Sequence, residues 1–335
     1  MTTPHAATAP LSPVLLFLRK NITDALRVCI ALFKIMIPIM IVMKILQEFG
    51  LVDVLGRITA PVMHLFGLPG SMSLAWVTAM ATNLYGGALV LITLMPETPL
   101  TSAQVTVLAT MMLIAHGLPV ELTIARRSGA RLRAQLIIRV GAAMLCGWLL
   151  FHGYAWLNLG TALVQPSWVP ETLPPGWLPW MLNEIRNLAG IAVIVLVLLI
   201  LLDILKRVGI TDLMIRLLSP LLRSMGVGRE AGTITMVGVT LGLAYGGGLI
   251  IHEARSGRIP AKDIFFALTF MGLSHSLIED TLLMVLLGAD LLGVLWVRLV
   301  FTIIVLWLIA RLVAAMPDKL VQATLVRQDS TMGRH

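Results

Sequence analysis

The sequence predicts an all-α integral membrane protein built from two inverted-topology repeats, and three observations carry that prediction. The chain has 335 residues, of which 58% are hydrophobic and 13% charged, with a mean hydropathy of +0.93. A soluble domain is about half apolar and about a quarter charged. Several apolar runs approach the roughly 20 residues a helix needs to cross a bilayer. The chain also matches itself at a fixed offset of 159 residues, and basic clusters fall on opposite sides of the matched segments.

The net charge of +8 does not point to nucleic acid here. The basic residues flank apolar segments, as they do in cytoplasmic membrane loops. Cys29 and Cys146 both lie in apolar stretches; they make no metal pair by spacing and argue against a disulfide scaffold.

The chain divides into five parts. Residues 1–27 form a cytoplasmic N-terminal segment without an evident cleavable signal, and Leu11 to Arg27 reads as an amphipathic helix. Residues 28–157 are the first membrane repeat. Residues 158–186 are an external loop rich in Pro and Trp (Trp168, Trp177, Trp180), suited to the membrane interface. Residues 187–315 are the second repeat, and 316–335 a cytoplasmic tail.

The repeat rests on polar and glycine matches in order. Gly50 pairs with Gly209, Asp53 with Asp212, Arg57 with Arg216, Pro61 with Pro220 and Gly67 with Gly226. His116 pairs with His275 and Arg139 with Arg298. With one residue inserted, Tyr85-Gly86-Gly87 aligns on Tyr245-Gly246-Gly247. In the first copy an apolar span of about 28–48 is followed by a short segment, 51–67. An apolar stretch, 71–95, is interrupted by Asn83-Leu84-Tyr85-Gly86-Gly87, and two spans follow at about 104–125 and 134–156.

Charge sets the topology. In copy one the basic loop (Arg126, Arg127, Arg131, Arg133) follows the His span; in copy two (Arg255, Arg258, Lys262) it precedes it. Basic loops face the cytoplasm, so the copies have opposite orientations and each crosses an odd number of times, a common transporter architecture. Five crossings per copy would bury Arg57, Arg216 and Arg223, at about 2.5–3.5 kcal/mol each. Three crossings, with an interfacial helix and a re-entrant hairpin, avoid that and give the preferred reading.

Two sets of residues are candidates for chemistry. At the hairpin tips, Asn83, Tyr85, Gly86 and Gly87, with Tyr245, Gly246 and Gly247, combine polar groups with glycines. Such a break is tolerated only where protein or a water-filled cavity satisfies the backbone, and the returning half-helix offers free N–H groups. The plainer reading is tight glycine packing. In the His spans, His116 with Glu121 and His275 with Glu279 and Asp280 are ionisable groups at membrane depth, which are expensive and usually functional. Pro119 predicts a break beside His116. Glu279 falls one turn from His275 on the same helical face. The plainer reading is a structural hydrogen-bond network. Arg139 and Arg298 are expected to snorkel to the interface, with neutralising these acids the alternative.

Enzyme motifs are absent: there is no HExxH and no Walker A loop. No cofactor and no metal centre is expected.

The stretches Glu48-Phe49-Gly50-Leu51 through Gly67-Leu68, Thr82-Asn83-Leu84-Tyr85-Gly86 and Leu118-Pro119-Val120 resemble the Gate, or nucleoside-recognition, domain family. That family includes spore maturation proteins A and B, the membrane part of the bacterial ferrous-iron permease and part of the concentrative nucleoside transporters. The resemblance covers about 30–315, more loosely in copy two. It implies inverted repeats whose hairpins meet at a central site. Thr82 stands where the iron permease has its cysteine, and no cysteine accompanies His116, so no thiolate site is implied.

The expected function is that of a permease, not an enzyme. It would move a small polar or ionic solute (nucleoside-like, organic or metal ion) by alternating access, with proton coupling through a His or acid. The alternatives are a non-transporting scaffold of an envelope or maturation complex and, third, an intramembrane enzyme. Expected partners are the lipid bilayer, the solute, and a second copy or another membrane protein, with no nucleic acid. The expected location is the inner (cytoplasmic) membrane, multi-pass, with both termini cytoplasmic.

Overall fold

A computed structural model describes residues 13–164, 176–210, 213–214, 216–217, 220, 235, 243–256 and 259–326. Among the described residues the protein is helical, with only two isolated β-bridges. It is an all-α, multi-pass membrane protein: five stretches are long and apolar enough to cross a bilayer, Leu16–Glu48, Ser102–Arg127, Leu132–Leu157, Trp177–Arg207 and Leu292–Ala315.

Helix α1, Pro13–Glu48, is a continuous 36 residues with Pro38 inside it, about 54 Å at 1.5 Å per residue. The expected amphipathic segment and first span are therefore one helix. Leu16, Ile22, Leu26, Ile30, Ile37 and Ile41 are exposed along it, as a lipid-facing stripe requires. It ends at Gly50, whose φ of 64° is a left-handed conformation that glycine adopts without steric penalty. Helix α2, Leu51–Met63, carries the exposed Arg57. The helical stretch Leu51–Phe66 meets Gly70–Ala81 at 92°. The corner depends on two glycines: a Cβ on Gly70 would lie 1.9 Å from the Gly56 carbonyl oxygen.

Helices α3, Ser73–Ala81, and α4, Leu84–Leu94, form a hairpin. A Cβ on Gly87 would lie 2.5 Å from the Ala79 Cβ and 2.8 Å from the Ala75 carbonyl oxygen, so the chain turns back between them. Each arm is about 14–17 Å long, half of the ~30 Å hydrocarbon core. Each arm is thus shorter than a full crossing by itself. Asn83 caps α4, its side-chain oxygen accepting from the Gly86 N–H at 2.9 Å.

Helices α5, Ser102–Ile114, and α6, Leu118–Arg127, continue one span through a break; α7, Leu132–Leu157, and α8, Trp177–Arg207, follow. Helix α9 is Leu243–Ser256, α10 Ala261–Ser274 and α11 Glu279–Leu286. A π-helical turn, Leu292–Val297, leads into α12, Arg298–Ala315, and then α13, Asp318–Thr324.

Element boundaries recur at the offset seen in the sequence. Helices α1 and α8 end at Glu48 and Arg207, and Gly209, like Gly50, has positive φ. Helices α5 and α10 start at Ser102 and Ala261, and each is followed by a break carrying a histidine. The matched helices α7 and α12 run antiparallel to each other. Tyr154, near the end of α7, hydrogen-bonds Asp290, just before α12. Arg131, at the start of α7, donates to the Gln322 carbonyl beyond α12 at 2.8 Å. The halves are also tied by Ser102 to the Gly288 carbonyl at 3.1 Å and by Gln135 to Thr269 at 3.0 Å.

Several sequence expectations lie outside the described residues. These are residues 1–12 and 327–335, Trp168, Asp212, Arg223, Gly226 and Arg258, and with them most of the second short segment.

Candidate functional site

His116 sits in the break between α5 and α6, and His275 in the break between α10 and α11. Proline cannot donate within a helix and is tolerated in its first turn, so Pro119 starts α6 and does not continue α5. Gly117, with φ 59°, turns the chain, and its N–H donates to the Ala79 carbonyl at 2.9 Å. That bond fastens the broken span to the hairpin of α3 and α4.

The two imidazoles meet across the seam between the repeats. Their Nε2 atoms are 3.0 Å apart and their ring centroids 4.7 Å apart. Both are buried, at 6% and 4% exposure. The Nδ1 of His116 lies 2.9 Å from the Met112 carbonyl, and the Nδ1 of His275 lies 2.9 Å from the Met271 carbonyl. Carboxylates from both repeats approach the pair. Glu121 Oε1 is 3.4 Å from His275 Nε2 and 3.8 Å from His116 Nε2, and Asp280 Oδ2 is 3.7 Å from His116 Nε2.

Two arginines complete the cluster. Arg139, on α7, is 2% exposed. It pairs with Glu121 through Nη1, and it donates to the Ile114 and His116 carbonyls at 3.0 Å each. Breaking a helix strands its last carbonyls, and Arg139 satisfies two of them. Arg298, its match in the second repeat, has 0% exposure, and its Nε, Nη1 and Nη2 atoms have no hydrogen-bond partner among the described residues.

Two expectations need correction here. Arg139 and Arg298 do not snorkel: both are interior, because the breaks create buried carbonyls and acids for a guanidinium to face. Glu279 does not share a helical face with His275. Residues 275–278 leave the helix, with Ser276 at φ 47°, so the four-residue spacing loses its meaning. Asp280 is the acid beside the imidazoles. Glu279 instead accepts a hydrogen bond from the Tyr85 hydroxyl at 3.0 Å, a contact between the hairpin of one repeat and the broken span of the other.

The other candidates fall as follows. Asn83, Gly86 and Gly87 shape and pack the hairpin tip, the last against Ala79. Tyr245, Gly246 and Gly247 belong to the helical backbone of α9, and the Tyr245 side chain lies outside the described residues. Arg139 and Arg298 were the residues underrated by sequence reasoning. A usable signal existed, since Glu121 and Asp280 share the offset that relates the histidines and the arginines.

This fold and core define a class: a multi-pass helical membrane protein whose two halves each contribute a histidine, a carboxylate and an arginine to one buried cluster. Residues 29–129 match the family described as Gate, nucleoside recognition. The chain is 30% identical over 287 residues to the "Uncharacterized membrane protein YvoD" of Bacillus subtilis (strain 168), across 83% of this chain and 88% of that one. The chain belongs to this Gate family of membrane proteins. No solved structure matches it.

Proposed function

We propose that the protein is a non-enzymatic permease of the cytoplasmic membrane, with both termini cytoplasmic, that moves a small polar or ionic solute by alternating access. The observation that carries this reading is the meeting of His116 and His275 across the seam of two oppositely running repeats. Ionisable groups at membrane depth mark solute or proton pathways, and repeat interfaces near the midplane are where such transporters bind. The hairpin beside the pair supports it further, since broken helices are tolerated around a cavity or a packed site. His116, His275, Glu121, Asp280, Tyr85 and Glu279 would line the route, and the hairpin tip at Asn83–Gly87 would gate it. A proton on an imidazole or acid would couple transport to the proton gradient.

A thermal-shift screen of the purified protein against nucleosides, amino acids, organic anions and divalent metals selects the solute, because a ligand specific for the folded state raises its stability by mass action. Flux of that solute is then measured in proteoliposomes. Wild type is expected to exceed empty vesicles, and His116→Ala/His275→Ala to fall to background. Full flux and coupling in the double variant would remove the pair from the mechanism.

A further inference from the structure

Spacing within either repeat offers one imidazole with one or two nearby carboxylates, too few to suggest a metal. The tertiary structure doubles the set. We propose that His116, His275, Glu121 and Asp280 form a binding site for one divalent transition-metal cation, held on the seam between the repeats. The site stands apart from the permease reading, since a bound ion is either resident or cargo.

The hydrogen bonds fix the tautomers. A backbone carbonyl only accepts, so the Nδ1 atoms facing Met112 and Met271 both carry hydrogen. Each neutral ring then presents a lone pair at Nε2, and the two nitrogens lie 3.0 Å apart with the rings tilted by 45°. Two acceptors at that distance repel unless an electrophile lies between or beside them.

A shared proton would serve only the line between the two nitrogens. The carboxylates argue for something larger. Their oxygens stand 3.4, 3.7 and 3.8 Å from the Nε2 atoms, too far for good hydrogen bonds. A tetrahedral ion with bonds of about 2.0–2.1 Å holds its ligands about 3.3 Å apart, close to the separations of the two nitrogens from each other, of Glu121 from both and of Asp280 from His116. His116, His275 and Asp280 offer atoms that all lie within 4.8 Å of one another, and Glu121 is within reach of both nitrogens as a fourth.

The surroundings are those of a metal site. Ligating histidines donate their other ring nitrogen to a carbonyl or carboxylate, and ligating carboxylates are themselves hydrogen-bonded. Both imidazoles meet the first condition. Glu121 meets the second, with Arg139 on its Oε2 leaving Oε1 free. Metal binding displaces protons from its ligands, and with Glu121, Glu279 and Asp280 ionised the cluster carries one more negative than positive charge to balance a cation. Imidazole with carboxylate suits zinc or ferrous, manganous and similar ions, whereas calcium and magnesium prefer oxygen alone.

The test uses the full chain in detergent, stripped with a chelator and dialysed against Zn2+ or Co2+. Wild type is expected to retain one ion per chain. Asp280→Asn is expected to weaken binding by about 10–100-fold, and His116→Ala/His275→Ala to retain none. Equal retention by that double variant assigns the metal to other residues and overturns the proposal, as does no retention by wild type. Should the variants fail to elute as folded protein, the Co2+ spectrum of wild type decides. Strong visible bands of a four-coordinate nitrogen–oxygen complex support the site; a thiolate charge-transfer band or a weak six-coordinate spectrum overturns it. Metal binding without flux of any solute leaves this site standing and removes the permease, while solute flux with no metal bound does the reverse.

Discussion

Arg139 and Arg298 hold equivalent places in the two repeats and are almost equally buried, yet among the described residues only Arg139 finds hydrogen-bond partners. Their partners by repeat would be matched too: Glu121 with Asp280, and the carbonyls of Ile114 and His116 with those of Leu273 and His275. The two halves thus occupy different local states around one seam. Alternating access works through such a difference, with the repeats exchanging states.

Stability should follow that asymmetry. Arg139→Met strands the Glu121 carboxylate and two carbonyls in the interior and should lower unfolding stability by about 3–5 kcal/mol. Arg298→Met removes a charge that has no hydrogen bond and should have less than half that effect. Thermal and denaturant unfolding in detergent measure both, and a larger loss for Arg298→Met would contradict the contacts described.

The Tyr85–Glu279 bond is a direct tie between the first hairpin and the second broken span. Tyr85→Phe should weaken the fold by about 1.5–3 kcal/mol, the range for a hydrogen bond to a charged group. A cycle with Glu279→Gln should return a coupling of about 0.5–3 kcal/mol. Additive single effects would mean that the hydroxyl and the acid do not interact.

Glycine in the hairpin is a packing requirement. Gly87→Ala forces a methyl to within 2.5 Å of the Ala79 Cβ and should destabilise by about 1–3 kcal/mol. Gly141, on α7, has nothing within 4 Å of where a Cβ would sit. Gly141→Ala should be neutral or stabilising by up to about 1 kcal/mol. Equal melting temperatures for the two variants would argue against the close-packed hairpin.

Topology is open to cysteine labelling, because Cys29 and Cys146 are both buried. Arg127→Cys, Lys206→Cys and Lys319→Cys should react with an impermeant thiol reagent only from the cytoplasmic side, and Asn158→Cys only from the outside. This follows from the positive-inside rule and from α7, which separates residues 131 and 158 by about 40 Å. Labelling of Lys206→Cys from outside would reverse the assignment of α8.

Much of the fold was legible because bilayer physics writes itself into composition. Apolar runs of spanning length at about 28–48, 104–125 and 134–156 marked three of the five long helices directly. Pro119 marked the break within Ser102–Arg127, since proline acts locally. The match at a fixed offset exposed two copies before any coordinates. The misreadings concern residues whose surroundings come from elsewhere in the chain. Arg139 reads as a snorkelling residue until Ile114, His116 and Glu121 are placed around it. Glu279 reads as the partner of His275 until Ser276 turns the chain out of the helix.

Sequence alone determined that this protein is helical, membrane-embedded, duplicated and furnished with a histidine in each copy, because hydropathy, proline and glycine act within a few residues and identity at an offset needs no structure. The tertiary structure decided that the two histidines touch, that Asp280 and not Glu279 accompanies them, and that both arginines are interior. Those outcomes depend on oppositely running helices closing distances between residues 159 positions apart, and no local spacing encodes that closure.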